Sequence, residues 1–197
     1  SLAGFILVLG LVFCFFSFRP LWHTDVWGHL AYGRLISETA TIPEYEPFMP
    51  LSEGVPLIDT AWLSQVIGYG AFSMFGVTAI QFLYASSVTV CLALLCGRCY
   101  RRTGNFTICL LGCGLFLWVE WESLFVPRPQ LAGLVIFTIL FTVLTSRRWF
   151  RANWLLIPLL FALWANLHGS FPAGLVLIGA FCVGRAIDVG RRCTGFS

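Results

Sequence analysis

Apolar runs dominate the chain. Residues 2–18, 77–97, 106–119, 129–145 and 153–184 are almost uninterrupted hydrophobic sequence, and a helix crossing the hydrocarbon core of a bilayer needs about 20 such residues, fewer if its ends extend into the interface. The polar interruption "NLHGSFP" at 166–172 divides the last run in two, so the pattern predicts six crossings. A further segment, "DTAWLSQVIGYGAFSMFG" at 59–76, is amphipathic and broken by glycines, which suits a helix lying along the interface or entering partway. Between the first two runs, "TDVWGHLAYGRLISE" predicts a short helix starting at Thr24 or Asp25, both good caps. On that helix Asp25, His29 and Tyr32 follow at i, i+4 and i+7 and share one face. The next stretch, "IPEYEPFMPLSEGVP", carries four prolines, which excludes regular structure there. No internal repeat or low-complexity segment interrupts this order.

Composition turns the pattern into a class. The chain is 58% hydrophobic and 11% charged, with mean hydropathy +0.86, far from the roughly one-quarter charged composition of soluble proteins. It reads as an all-α, polytopic integral membrane protein. The basic charge is twelve arginines and no lysine, and its placement gives no nucleic-acid signal. Cytoplasmic loops collect Lys and Arg near helix ends. If 59–76 does not cross, Arg98, Arg101, Arg102, Arg147, Arg148, Arg151, Arg185, Arg191 and Arg192 fall on one side, nine of the twelve arginines. Eight of the nine acids and all three histidines then fall on the other. That bias favours an interfacial 59–76, makes 19–76 an outer-face loop with interfacial helices, and places the protein in the inner or cytoplasmic membrane with its acidic loops facing the periplasm or outside. The eight cysteines lie in apolar segments or basic connections, with the spacing of neither a disulfide framework nor a zinc site. No small-residue cleavage site follows residue 18, so the first run reads as a retained helix. An opening Ser within an apolar run and a basic, unclosed end lead us to expect that residues 1–197 are the amino-terminal part of a longer polytopic domain.

The candidate chemistry gathers on the acidic side. Asp25 sits where the first run emerges, between Trp22 and Trp27; a carboxylate at that depth serves as general base or metal ligand, or simply caps its helix. His23 and His29 flank it, and imidazole with carboxylate suits several divalent metals. The spacing H-x-D-x-x-x-H matches no established ligand signature, and interfacial hydrogen bonding is the alternative for both rings. Glu120 and Glu122 close the run 106–119 in "LWVEWES"; ionisable residues near membrane depth are functional candidates, against the alternative of loop acids in water. Arg128, in "VPRPQ", departs from the arginine bias and offers a forked donor to a phosphate, or to lipid headgroups. Arg34, on the first-loop helix, has the same two roles open. His168 and Asn166 lie at the hairpin tip in "WANLHGSF", where Gly169 permits the turn; satisfying freed backbone groups is their alternative role.

In this arrangement the chain resembles the amino-terminal half of a GT-C superfamily membrane glycosyltransferase, the group that includes protein O-mannosyltransferases, aminoarabinose transferases and oligosaccharyltransferase subunits. The resemblance covers essentially the whole chain. It rests on D-x-W-x-H-L-x-x-G-R-x-I from Asp25, I-P-x-x-x-P-F from Ile42, the amphipathic "WLSQVIGYGAFSMFG", the basic "CGRCYRR", "RPQ" and "WANLHGSF". It implies sugar transfer from a polyprenyl-phosphate donor to an acceptor at the outer face, with the lipid bilayer and the lipid-linked donor as partners. Carried over by position, the catalytic carboxylate is Asp25, the second-loop acid is Glu120 or Glu122, and the donor phosphate falls to Arg128. Beside these, His29, one turn from Asp25, is the expected helper and Arg34 a further phosphate candidate. Many members carry adjacent acids at the first-loop site, whereas Val26 follows Asp25 here, which weighs against a divalent metal. The alternatives are a noncatalytic membrane scaffold and a lipid-linked transporter or flippase. Ion-coupled transport is disfavoured, because the crossing runs lack mid-helix ionisable residues.

Overall fold

The computed structural model describes residues 2–21, 24–52, 54–126, 128–146 and 151–193. Trp22, His23, Arg147 and Arg148 lie outside the described residues. The described chain is all-helical, its one departure an isolated antiparallel bridge. In order come α1 (Leu2–Ser17), α2 (Thr24–Thr39), a 3₁₀ turn (Pro50–Ser52), α3 (Trp62–Phe75), α4 (Val77–Thr103), α5 (Phe106–Val119), α6 (Trp121–Phe125), α7 (Gln130–Leu144), α8 (Asn153–Leu167) and α9 (Pro172–Cys193).

Each of the six apolar runs forms a helix, but only two of those helices, α4 and α9, are long and apolar enough to cross a membrane. The other four, α1, α5, α7 and α8, have 14 to 16 residues, about 21–24 Å at 1.5 Å per residue, short of a hydrocarbon core of about 30 Å. The proline-punctuated stretch is more ordered than its composition predicts. Glu46 N–H donates to Val55 O and Leu57 N–H to Glu44 O, at 3.1 and 2.8 Å, which pairs Tyr45 with Pro56. Prolines are tolerated there because the pairing is a single bridge, with no ladder whose donors they would interrupt.

Local chemistry sets the corners. Gly104, at φ 63°, ends α4 in the left-handed conformation, and Asn105 caps α5 by accepting from Thr107 N–H and Ile108 N–H. A glycine that takes positive φ without strain followed by an Asn cap makes a two-residue helical turn. Pro172 opens α9 at a position where a missing N–H costs nothing.

Two apolar cores hold the helices. One joins Phe16 of α1, Tyr84, Val88 and Leu92 of α4, Leu124 of α6 and Leu131 of α7. The other joins Ile136, Leu140 and Leu144 of α7 to Leu160, Trp164 and Leu167 of α8, with α9 packed alongside. The outward faces of α1, α5, α8 and α9 stay apolar, with Leu7, Leu111, Trp154, Leu155 and Val176 all exposed. At one end, Arg98 Nε donates to Thr145 Oγ1 at 2.8 Å and Arg102 Nη2 to Thr145 O at 3.3 Å, and Arg102 and Arg185 line one surface hollow there. The polar loops, α2 and α3 gather at the opposite end.

Candidate functional site

Helix α2 places Asp25, His29 and Tyr32 on one face, as their spacing predicts, and α3 packs against that helix. Gly33 permits the approach: a side chain there would run into the Gln65 carbonyl and the Tyr69 Cβ. Helix α3 is tied in turn to the α8–α9 corner, where Trp62 Nε1 donates to Asn166 Oδ1 at 2.9 Å and Ser64 Oγ to Leu167 O at 2.7 Å. Gly169 at that corner sits directly against Thr60. Four separate pieces of chain therefore meet: α2, residues 57–65, the 128–130 entry to α7, and the 168–170 corner.

They enclose a cleft with two compartments that share His29, Gln65, Arg128 and Pro129. The polar compartment, about 320 Å³, adds Tyr32, Asp59 and His168. The other, about 250 Å³, runs between α2, α3, α4 and α7 along Val26, Leu30, Ile80, Leu83, Leu131 and Ala132 and is mainly apolar. Arg128, which lines both compartments, binds Asp25 Oδ2 through Nη2 at 2.6 Å, with both side chains partly exposed.

Inside the polar compartment Gln65 is buried, at 5% exposure. Its Nε2 lies 3.2 Å from Asp59 Oδ1 and 3.3 Å from His29 Nδ1. Asp59 Oδ1 also accepts from Ala61 N–H at 2.9 Å. Asp59 Oδ2 and Gln65 Oε1 are buried without a hydrogen-bond partner among the described residues. Leaving a buried acceptor unsatisfied costs roughly 1–3 kcal/mol, so two in one wall are a feature to be explained. Burial pushes the His29 pKa down, an effect larger than the upward pull of Asp59 and Asp25. The His168 pKa is also lowered, first by burial and then by His29. Tyr32 donates to Glu46 Oε2 at 2.5 Å; burial and that bond push the phenol pKa up, and the bond draws Glu46 down.

The structure thus brings together Asp25, His29, Arg128 and His168. Arg34 stays away: nine residues from Asp25 it projects from the opposite side of α2, and its Nε binds Glu38 Oε1 at 2.8 Å in the open. Asn166 is spent on structure, accepting from Trp62 while its amide donates to Ala162 O at 2.7 Å. Glu120 lies at the α5–α6 junction with Glu122 in the first turn of α6. Among the described residues neither forms a hydrogen bond or ion pair with Asp25 or Arg128, and neither lines the two compartments. Among the described residues, no three His, Cys, Asp or Glu side chains are placed to share a metal ion. Asp59 and Gln65 were not legible as site residues. Their signal in the sequence is a glutamine on an amphipathic helix, six positions after an acid.

These features define an all-helical protein with two helices long and apolar enough to span a membrane and a divided polar and apolar cleft at one end. Comparison with family models, characterised proteins and solved structures finds no match.

Proposed function

We propose that the chain belongs to a membrane glycosyltransferase of the GT-C kind, moving a sugar from a polyprenyl-phosphate donor to an acceptor at the outer face of the membrane. In this reading all six apolar helices cross, with the four short ones extended by interfacial residues, and the arginine end is cytoplasmic. The exposed apolar faces of α1, α5, α8 and α9 then meet lipid, which accounts for an apolar surface that a water-soluble monomer rarely carries.

The observation that carries the reading is Arg128, shared by a polar and an apolar compartment and paired with Asp25. A lipid-linked sugar is amphiphilic in the same sense: its first isoprene units suit the apolar compartment, its sugar the polar one, and its phosphate the junction. Asp25 takes the proton of the acceptor hydroxyl while that oxygen attacks the anomeric carbon. The bond from that carbon to the phosphate oxygen breaks, and its electron pair leaves with the lipid phosphate. Arg128, which holds Asp25 before substrate arrives, shifts its second N–H edge to the phosphate as charge develops there. Attack opposite the leaving group inverts the anomeric centre.

The test is transfer from polyprenyl-phosphate-linked hexose and pentose donors by the full chain in vesicles. Asp25→Asn is expected to lower transfer by at least about 100-fold, the usual yield of a positioned general base, with donor retention preserved. Undiminished transfer by D25N overturns the role of Asp25. A wild-type chain that moves the labelled donor between leaflets without cleaving it identifies a flippase, and one that does neither identifies a scaffold.

A further inference from the structure

Two histidines face the polar compartment, and in each the bonding of one ring nitrogen decides what the other can do. His168 Nδ1 receives Ser170 N–H at 3.2 Å. A backbone amide only donates, so Nδ1 is the acceptor and the neutral ring carries its hydrogen on Nε2. His29 Nδ1 faces Gln65 Nε2 at 3.3 Å. The same Gln65 atom lies against Asp59 Oδ1, and a carboxylate oxygen can only accept. That atom is therefore the amide nitrogen, with one hydrogen for each neighbour, and His29 also keeps its hydrogen on Nε2. Neither Nε2 has a hydrogen-bond partner among the described residues. Burial disfavours a second proton on either ring, and at His168 the neighbouring His29 adds to that effect.

The cleft thus presents two directed N–H donors. Asp59 and Gln65 line the same compartment, and their Oδ2 and Oε1 atoms are buried acceptors without a partner among the described residues. The charge balance selects among ligands: Asp25 already occupies Arg128 while Asp59 lines the compartment, so with both imidazoles neutral an anion entering it meets an excess carboxylate. Hydroxyl groups meet no such penalty, since each both donates and accepts. We propose that the polar compartment binds a neutral polyhydroxylated ligand, with His29 and His168 as fixed Nε2–H donors and Asp59 and Gln65 as acceptors for its hydroxyls. The identification of that ligand as the sugar of the donor rests on the glycosyltransferase reading; the donor and acceptor inventory does not. The assignment also changes the role of His29. Its only lone pair is occupied by Gln65, so it is not a base assisting Asp25, and Gln65 is a positioning residue that sets its tautomer.

The test uses the full chain, labelled with ¹⁵N-histidine, in lipid nanodiscs at neutral pH, with the resonances assigned through His29→Gln and His168→Gln. Both rings are expected as the Nε2–H tautomer. Gln65→Glu, whose carboxylate accepts, is expected to move the His29 hydrogen to Nδ1. Decyl β-glucoside is expected to shift both Nε2 signals saturably, and decyl phosphate, held at Arg128, to leave the His168 signal in place. H29Q, which keeps an N–H near the same position, is expected to hold glucoside affinity within about threefold, whereas H29F loses at least about tenfold, the scale of one well-made hydrogen bond. An Nδ1–H tautomer on either ring, a His168 shift with phosphate in place of glucoside, or H29Q as damaging as H29F would overturn the proposal. A chain that binds the glucoside through these rings yet transfers no sugar overturns the transferase reading alone. Transfer by a chain whose histidines ignore the glucoside overturns the site alone.

Discussion

The contact between α2 and α3 at Gly33 holds the cleft together, and a single methyl group tests it. In Gly33→Ala the new Cβ would run into the Gln65 carbonyl oxygen and lie 2.5 Å from the Gln65 carbonyl carbon and 2.9 Å from the Tyr69 Cβ. Real Cβ atoms keep at least 3.0 Å from such neighbours, so the helices must part by about 0.5 Å on the carbon contact alone, and overpacking of this kind costs roughly 1–3 kcal/mol. Alanine returns about 0.5–1 kcal/mol in helix propensity, leaving a net loss of roughly 0–2.5 kcal/mol, about 1.2 kcal/mol at the middle of both ranges. For a chain of this size the middle value is a fall in melting temperature of about 2–5 °C. The same displacement stretches the His29 Nδ1 to Gln65 Nε2 separation from 3.3 Å to about 3.8 Å, beyond hydrogen-bond reach, so the His29 tautomer signal should broaden or split. Gly28 is the internal control: it lies on the same helix with nothing within 4 Å of an added Cβ, so G28A should hold or raise the melting temperature. Thermal unfolding in detergent, followed by circular dichroism, reads both variants. A G33A chain that melts with or above G28A would refute the claim that close α2–α3 contact is what Gly33 provides.

Three further outcomes follow from the geometry. Asn105→Ala removes the acceptor for two N–H groups at the start of α5 and should lower stability by about 1 kcal/mol, read from the same melts. A double-mutant cycle between Asp25→Ala and Arg128→Ala should give a coupling of about 0.5–1 kcal/mol that shrinks in high salt, because both side chains are partly exposed; zero coupling at low salt would show that the pair contributes no net stability. Both cleft histidines have folded pKa values below the ordinary 6.5. Above pH 6.5 both states are neutral and the contribution is complete; as pH falls through 6.5 the unfolded chain binds protons that the folded one refuses, and stability declines until the folded values are reached. Melts between pH 7.5 and 5 should show that decline, and the double variant H29Q/H168Q should flatten it.

Much of this protein is written in one-dimensional pattern. The six apolar runs, the split at 166–172, the short helix after Asp25 and the amphipathic helix before α4 all follow from local hydrophobicity and capping, which act over a few residues. The shared face of Asp25, His29 and Tyr32 follows from helical periodicity alone. That same periodicity, taken two residues past Tyr32, removes Arg34 from the cleft. The bridge between Tyr45 and Pro56 escaped the pattern because isolated pairing needs no hydrophobic alternation.

What the sequence by itself determined is which segments are helical and which end of the bundle collects arginine. What only the tertiary structure decided is the membership of the cleft. Asp59 and Gln65 enter it because Gly33 lets α3 press against α2; Arg128 and His168 enter from α7 and the α8–α9 corner, about 100 and 140 residues along the chain from Asp25. Glu120, Glu122 and Asn166, equally polar on paper, are left to α6 or to a bond with Trp62. Hydrogen-bond complementarity is a property of atoms brought within about 3 Å, and the spacing of residues along the chain carries no record of it.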